Sequence, residues 1–222
     1  GFVDITDPSA PVGLGSLTLD GVPASVAVVG AYALVAVNTS PSFVAPSGKL
    51  VVVNIATRTV VTALDLGGQP DSVAVSKDGR YAAVVIENER DEGVNGGAIP
   101  QLPAGGLAII DLVGAPTAWT RRNVDLTGIA TLYGTDPEPE YVSINEDNVA
   151  VVTLQENNHI ALVNLATGAV TGHFSAGSVT LDSVDLTDER PNLIQFTQTQ
   201  TDRLREPDGV TWVSKTRFAT AN

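Results

Sequence analysis

Carboxylates stand beside prolines at regular points in this 222-residue chain. Pro70-Asp71, Glu138-Pro139-Glu140 and Glu206-Pro207-Asp208 each open a stretch of alternating apolar residues. A second set closes the next apolar stretch: Glu87-Asn88-Glu89, Gln155-Glu156-Asn157, and Asn222. Side chains that offer only oxygen suit a hard cation such as Ca²⁺. The spacing predicts metal ligation by Glu87, Glu138, Glu140, Glu156, Glu206 and Asp208. Asp71, Gln155, Asn157, His159 and Arg205 are expected to face a substrate or ligand at the same place. In the alternative reading these acids cap turns and strand ends and stay solvated. No residue stands out as catalytic.

Other chemistry has less support. Glu87 to Gly93 is a charged run that does not match EF-hand spacing. The two histidines, His159 and His173, form no H-E-x-x-H, and there is no third for a three-histidine zinc site. His159 opens a strand after Glu156-Asn157-Asn158 and is expected near the acids, whereas His173 reads as structural. Arg203 and Arg205 suit either a ligand phosphate or carboxylate, or the neighbouring acids. Nucleophile-elbow, P-loop and dinucleotide-binding motifs are all missing.

The elements that must place these residues repeat. An apolar run ending in Asp or Asn and then Ile or Leu occurs at Val3-Asp4-Ile5, Val53-Asn54-Ile55, Ile110-Asp111-Leu112 and Val163-Asn164-Leu165. In phase with it, Pro23, Pro70, Pro139 and Pro207 each begin an alternating strand. A short turn and another apolar strand follow each time, Asp78-Gly79 being the strongest hairpin signal. Four short strands in roughly 50 residues, repeated without helical periodicity, predict an all-β fold, a β-propeller of four-stranded blades. A β-sandwich or open meander is the alternative. About four units are represented, approximately 1–47, 48–104, 105–157 and 158–222, all within one domain. The first begins and the last ends within a blade, so the chain is expected to be part of a larger ring, completed by blades from outside this sequence. Glu89–Gly105, Val113–Asp136 and Ala176–Arg205 break the spacing and read as loops. In a propeller, equivalent positions of successive blades reach one height around the axis, so the periodic acids would ring one mouth of the channel.

Composition narrows the function. Twelve Lys and Arg against 25 Asp and Glu give a net charge of −13, the reverse of a nucleic-acid-binding face. The 43% hydrophobic content supports a packed core. With no Cys there is neither a disulfide framework nor a thiolate site. No apolar run approaches a membrane span. Abundant Thr, Val and Asp with only three Lys fit a secreted or surface protein. Asn38-Thr39-Ser40 is a formal N-glycosylation triplet.

Pro137-Glu138-Pro139-Glu140-Tyr141, Thr153 to Asn158, Arg205 to Val210 and Arg217 to Asn222 together resemble the choice-of-anchor I, or phytase-like (esterase-like), propeller family. That family includes mesenchyme-specific cell-surface glycoproteins associated with biomineralisation. The resemblance spans most of the chain. It implies an extracellular or cell-surface binding or structural module whose partners would be a surface or matrix protein, a glycan or Ca²⁺. The alternative it implies is a Ca²⁺-dependent phytase-like phosphoesterase acting on a small phosphoester, with Arg205 holding the phosphate. Scarcity of Lys and Arg near the acids favours the binding module.

Overall fold

The computed structural model describes residues 1–188 and 193–222. Eighteen strands form among them, with two short 3₁₀ turns. The chain opens with a two-stranded sheet, β1 (Phe2–Asp4) and β2 (Val12–Gly15). Three four-stranded antiparallel meanders follow. The first is β3 (Val22–Val29), β4 (Tyr32–Asn38), β5 (Gly48–Asn54) and β6 (Thr59–Asp65). The second is β7 (Pro70–Val75), β8 (Tyr81–Ile86), β9 (Gly106–Asp111) and β10 (Thr120–Asp125). The third is β11 (Pro139–Ile144), β12 (Val149–Leu154), β13 (His159–Asn164) and β14 (Ala169–Ser175). A hairpin of β15 (Ser178–Val184) and β16 (Gln198–Leu204) precedes a last pair, β17 (Val210–Ser214) and β18 (Arg217–Thr220). The first strands lie side by side in the order β3, β7, β11, β17. This is the radial arrangement of propeller blades.

The blades stack because their middle strands are apolar on both faces. Along β8 every residue is buried. Ala82, Val84 and Ile86 pack towards the first blade with Leu34, Leu50 and Val52. Tyr81, Ala83 and Val85 face the other way, towards Val152, Leu154 and Val163. Side chains alternate across a strand, so one strand serves two cores. Small residues on these strands let the sheets approach closely.

Tight turns set the register. Ser76 accepts the Arg80 and Tyr81 backbone N–H groups and donates to Asp78 Oδ1 at 2.8 Å. Gly79 takes the positive φ that the hairpin demands.

Two details differ from the sequence reading. The sheets group as Val22–Asp65, Pro70–Asp125 and Pro139–Ser175, so the divisions at 47/48, 104/105 and 157/158 fall between second and third strands. A cyclic repeat fixes a period but not a phase. The segments 113–136 and 176–205 are not wholly loop: the first supplies β10 and the second the β15–β16 hairpin. β10 is an outer strand, half solvated, and its sequence Thr-Arg-Arg-Asn-Val-Asp hides the apolar alternation.

Ile109, fully buried on β9 between two blades, anchors this packing. Ile109→Ala is expected to lower unfolding free energy by about 2–5 kcal/mol. The half-exposed Val60→Ala should cost only about 0.5 kcal/mol. Urea titration of both variants measures the contrast.

Candidate functional site

Three of the four first strands slip register at a proline near their start. The irregularity lies between Pro23 and Ser25, between Pro70 and Val73, and between Pro139 and Tyr141. Proline has no N–H for the ladder, and a bulge re-aims the next side chain. On β7 and β11 that next residue is Asp71 and Glu140; Asp208 likewise follows a proline, ahead of β17 and without a register slip there. Burial raises the pKa of Asp71 and of Glu140, and the charge of Asp208 adds to both.

The second strands return acids to the same end. Glu87 follows β8 and meets Asp71 and Glu140, ligand oxygens of all three lying within 4.8 Å of one another. A cavity of about 470 Å³ opens beside them, lined by Glu87, Glu89, Glu138, Glu140 and Glu156 together with Arg90, Gln101 and Tyr133. Four of the six expected metal ligands therefore line one mouth: Glu87, Glu138, Glu140 and Glu156. Asp208 is exposed and does not line the cavity, although its charge acts on Asp71 and Glu140. Asp71, expected as a ligand contact, belongs to the innermost trio.

Asparagines hold the frame. Asn88 Oδ1 accepts the Gln69 N–H at 2.9 Å, and Asn157 Oδ1 accepts the Glu138 N–H at 3.0 Å. Asn157 Nδ2 also donates to the carbonyls of Leu132, Tyr133 and Asp136. Asn157 is thus buried framework beneath the mouth rather than a ligand contact. Gln155 is half-buried, its carbonyl accepting the Asn158 N–H, and it does not line the cavity.

Three expected residues lie elsewhere. Glu206 is exposed with a positive φ, its N–H donating to Asn158 Oδ1, and it does not line the cavity. Arg205 Nη1 donates to the Ala176 carbonyl at 3.0 Å and forms no ion pair with a neighbouring acid among the described residues. His159 points outward across its blade, its Nε2 lying 3.0 Å from His173 Nδ1 on β14. It lines a separate small cavity with Leu132 and Leu204. Burial, then the neighbouring His173, lowers its pKa.

One group was not expected. Arg90, at the start of the 89–105 segment, is nearly enclosed. Its Nε is 3.0 Å from Asp136 Oδ2, its Nη1 is 2.7 Å from Glu138 Oε2, and it lies 5.3 Å over the Tyr133 ring. Its backbone N–H donates to Glu138 Oε1 at 2.7 Å. Gln101 N–H meets Asp136 Oδ2 at 2.8 Å, so one buried ion-pair cluster ties two irregular segments over the mouth.

The whole sequence, residues 1–222, matches the family model described as the choice-of-anchor I domain. The chain belongs to that family. No curated protein matches it. Among solved structures, the propeller domain of Myceliophteria thermophila Cps50 (Swd1) aligns with a TM-score of 0.55 at 11% identity, covering 98% of this chain and 58% of that one. The propeller domain of the Pyrococcus furiosus Trilobed protease gives 0.45 at 10% identity, with 70% and 43% covered. Kuenenia stuttgartiensis hydrazine synthase gives 0.47 at 12% identity, with 64% and 39% covered. The choice-of-anchor I chain thus spans 39–58% of the length of these structures. The Cps50 likeness shows the propeller fold.

Electrostatics in the choice-of-anchor I mouth are strained. Burial, with Glu140, Asp71, Glu89 and Glu138 close by, pushes Glu87 up to about 9. Burial also lifts Glu138 to about 7, although Arg90 pulls against it, and lifts Glu140 to about 7, helped by Asp71 and Asp208.

Removing Arg90 leaves Asp136 and Glu138 buried without their counter-charge. Arg90→Met is expected to cost about 3–5 kcal/mol, read by thermal or urea unfolding. A carboxyl with a raised folded-state pKa keeps its proton longer in the folded chain than in the unfolded one. Its stabilising contribution is complete below the unfolded value of 4.5 and is lost as pH rises towards the folded value. The metal-free protein should therefore lose stability from about pH 5 to pH 9, and Glu87→Gln should flatten that fall. Urea midpoints across this range, in a chelator, test both.

Proposed function

We propose that this propeller is a surface binding module of the secreted or cell-surface type, and that its acidic mouth takes a hard divalent cation such as Ca²⁺. The observation that carries the cation reading is the convergence of Asp71, Glu87 and Glu140 from two adjacent blades. Two oxygens on opposite sides of a Ca²⁺ ion are about 4.8 Å apart, at roughly 2.4 Å each. The trio therefore fits one ion, and none of its members has an ion-pair partner among the described residues. Glu138 and Glu156 line the same cavity and add negative charge around the trio. Membership of the choice-of-anchor I family supports the surface role. Among the described residues no helix is long and apolar enough to cross a membrane.

Phosphoester hydrolysis has less support. A phosphate-processing site needs cationic groups free to meet the substrate. The arginine that lines this cavity is held by Asp136 and Glu138, and Arg205 is engaged with a backbone carbonyl.

Calorimetric titration with Ca²⁺ tests the cation. One tight site per chain is expected, weakened at least tenfold, or about 1.4 kcal/mol, in Glu140→Gln and in Asp71→Asn. Glu206→Gln should bind as the parent does. Because Glu87 is pushed up to about 9, binding at pH 7 should release a proton. Titrations in two buffers of different ionisation enthalpy read that release. Absence of binding up to millimolar Ca²⁺ would falsify the proposal.

A further inference from the structure

The sequence has a single Asn-Gly step, Asn95-Gly96, and it lies in the irregular segment beside the mouth. Asp91, Glu92, Gly97 and Ile99 of that segment line the cavity. Its two ends are clasped: Gln101 Oε1 accepts the Asp91 N–H at 3.0 Å, and Gln101 Nε2 donates to the Asp91 carbonyl at 3.0 Å. Between them the Gly97 N–H donates to the Val94 carbonyl at 2.9 Å and closes a turn. Asn95 and Gly96 are its central residues, and both hold a positive φ, 50° and 65°. That combination marks a type I′ turn.

Such a turn engages the N–H of its fourth residue and leaves that of its third free. Among the described residues the Gly96 N–H donates to no acceptor, and the Asn95 side chain makes no hydrogen bond. Both residues are exposed. A Cβ built at Gly96 would meet no atom within 4 Å, so space is open beside the peptide nitrogen. The Ala98 N–H reaches the Asn95 carbonyl only at a long 3.4 Å, so little holds the turn closed. Asparagines elsewhere are held. The Oδ1 atoms of Asn88, Asn145, Asn157 and Asn164 each accept a backbone N–H. None of those four is followed by glycine, whose missing side chain leaves the next nitrogen unhindered.

We propose that Asn95 is a covalent modification site, where the folded chain deamidates without an enzyme and adds a carboxylate to the loop at the mouth. The Gly96 nitrogen gives up its proton and attacks Asn95 Cγ. A nitrogen–carbon bond forms, the Cγ–Nδ2 bond breaks, and the leaving amide takes up a proton and departs as ammonia. The product is a five-membered succinimide. Water then opens the ring at either carbonyl, giving aspartate or isoaspartate. In sum one amide and one water become one carboxylic acid and one ammonia, with no change of oxidation state. Either product makes the chain one charge more negative than −13. Isoaspartate also places an extra methylene in the backbone between Val94 and Gly97, inside the loop that the Asp91–Gln101 clasp closes off. The loop beside the carboxylates therefore gains negative charge as the protein ages. The site rests on the Asn95–Gly96 turn alone and does not depend on the cation reading.

Incubating the folded chain between pH 6 and pH 9 tests this. On anion exchange a form one charge more negative should grow with time, faster at higher pH because the attacking nitrogen must lose its proton. Isomerisation at the Asp-Gly steps at Asp20, Asp78 and Asp208 leaves the charge unchanged, so it does not contribute to that form. With the incubation run in ¹⁸O-water, peptide mapping should find a single ¹⁸O at residue 95, in both aspartyl and isoaspartyl peptides. Asn95→Gln should lose the acidic form, and Asn95→Asp should elute with it from the start. Circular dichroism should stay unchanged throughout, which assigns the reaction to the folded chain. A synthetic peptide of residues 91–101 is the reference. If the peptide converts and the folded chain does not, or if conversion follows only after loss of structure, the proposal is overturned. Label found mainly at other asparagines, or an acidic form that persists in Asn95→Gln, would overturn it as well.

Discussion

None of the three four-stranded sheets has a core of its own; each borrows one from its neighbours. A four-stranded meander with both faces apolar is insoluble alone and stable only between two others. That requirement explains why β8, β9 and β12 are buried along almost their whole length. It also explains why the blade strands favour alanine and valine, which allow sheets to pack closely on both sides. Radial stacking then brings the first strands together at one axis. The mouth exists because the packing needs an axis, and whatever stands at the start of each first strand is delivered there.

Proline and bulge turn that delivery into a site. Without them the strand alternation would send the next residue into the space between blades, where Val73 and Val142 lie. With the register slip, Asp71 and Glu140 turn to the axis and the apolar alternation resumes beyond. The buried asparagines complete the device, since Asn88 and Asn157 satisfy the backbone that the prolines leave irregular. Sheet, bulge and amide therefore place carboxylates from different blades within ligand distance of each other.

What repeats was legible in the sequence. The blades, the turn at Asp78-Gly79 and the acids after Pro70 and Pro139 all recur at a common spacing, and periodic features survive translation into space. Glu206 escaped because a positive φ and a hydrogen bond from its N–H to Asn158 Oδ1 turn its strand opening away from the cavity. His159 escaped because the face of a strand residue depends on its register, and here the register aims it at His173. Arg90 and Asp136 escaped for a deeper reason. They sit in two irregular segments 46 positions apart, and nothing periodic links them. Only the charged run from Glu87 to Gly93 hinted that this segment held more than solvent-facing acids.

The role of Arg90 bears on how the remaining charge is managed. Like charges in a shared, partly buried site must be neutralised by a cation or by protons. Arg90 is the cationic residue lining the mouth, and its fork is committed to Asp136 and Glu138. Freeing it for the trio would leave those two acids buried without a partner, at greater cost. Asp71, Glu87 and Glu140 are therefore left to protons or to a metal. The lift of Glu87 to about 9 measures how strongly the bare trio holds its proton. A divalent ion at the same point would replace that proton and draw oxygens from both blades at once. The salt bridge that keeps the two irregular segments in place is thus the same interaction that leaves the trio open to a cation.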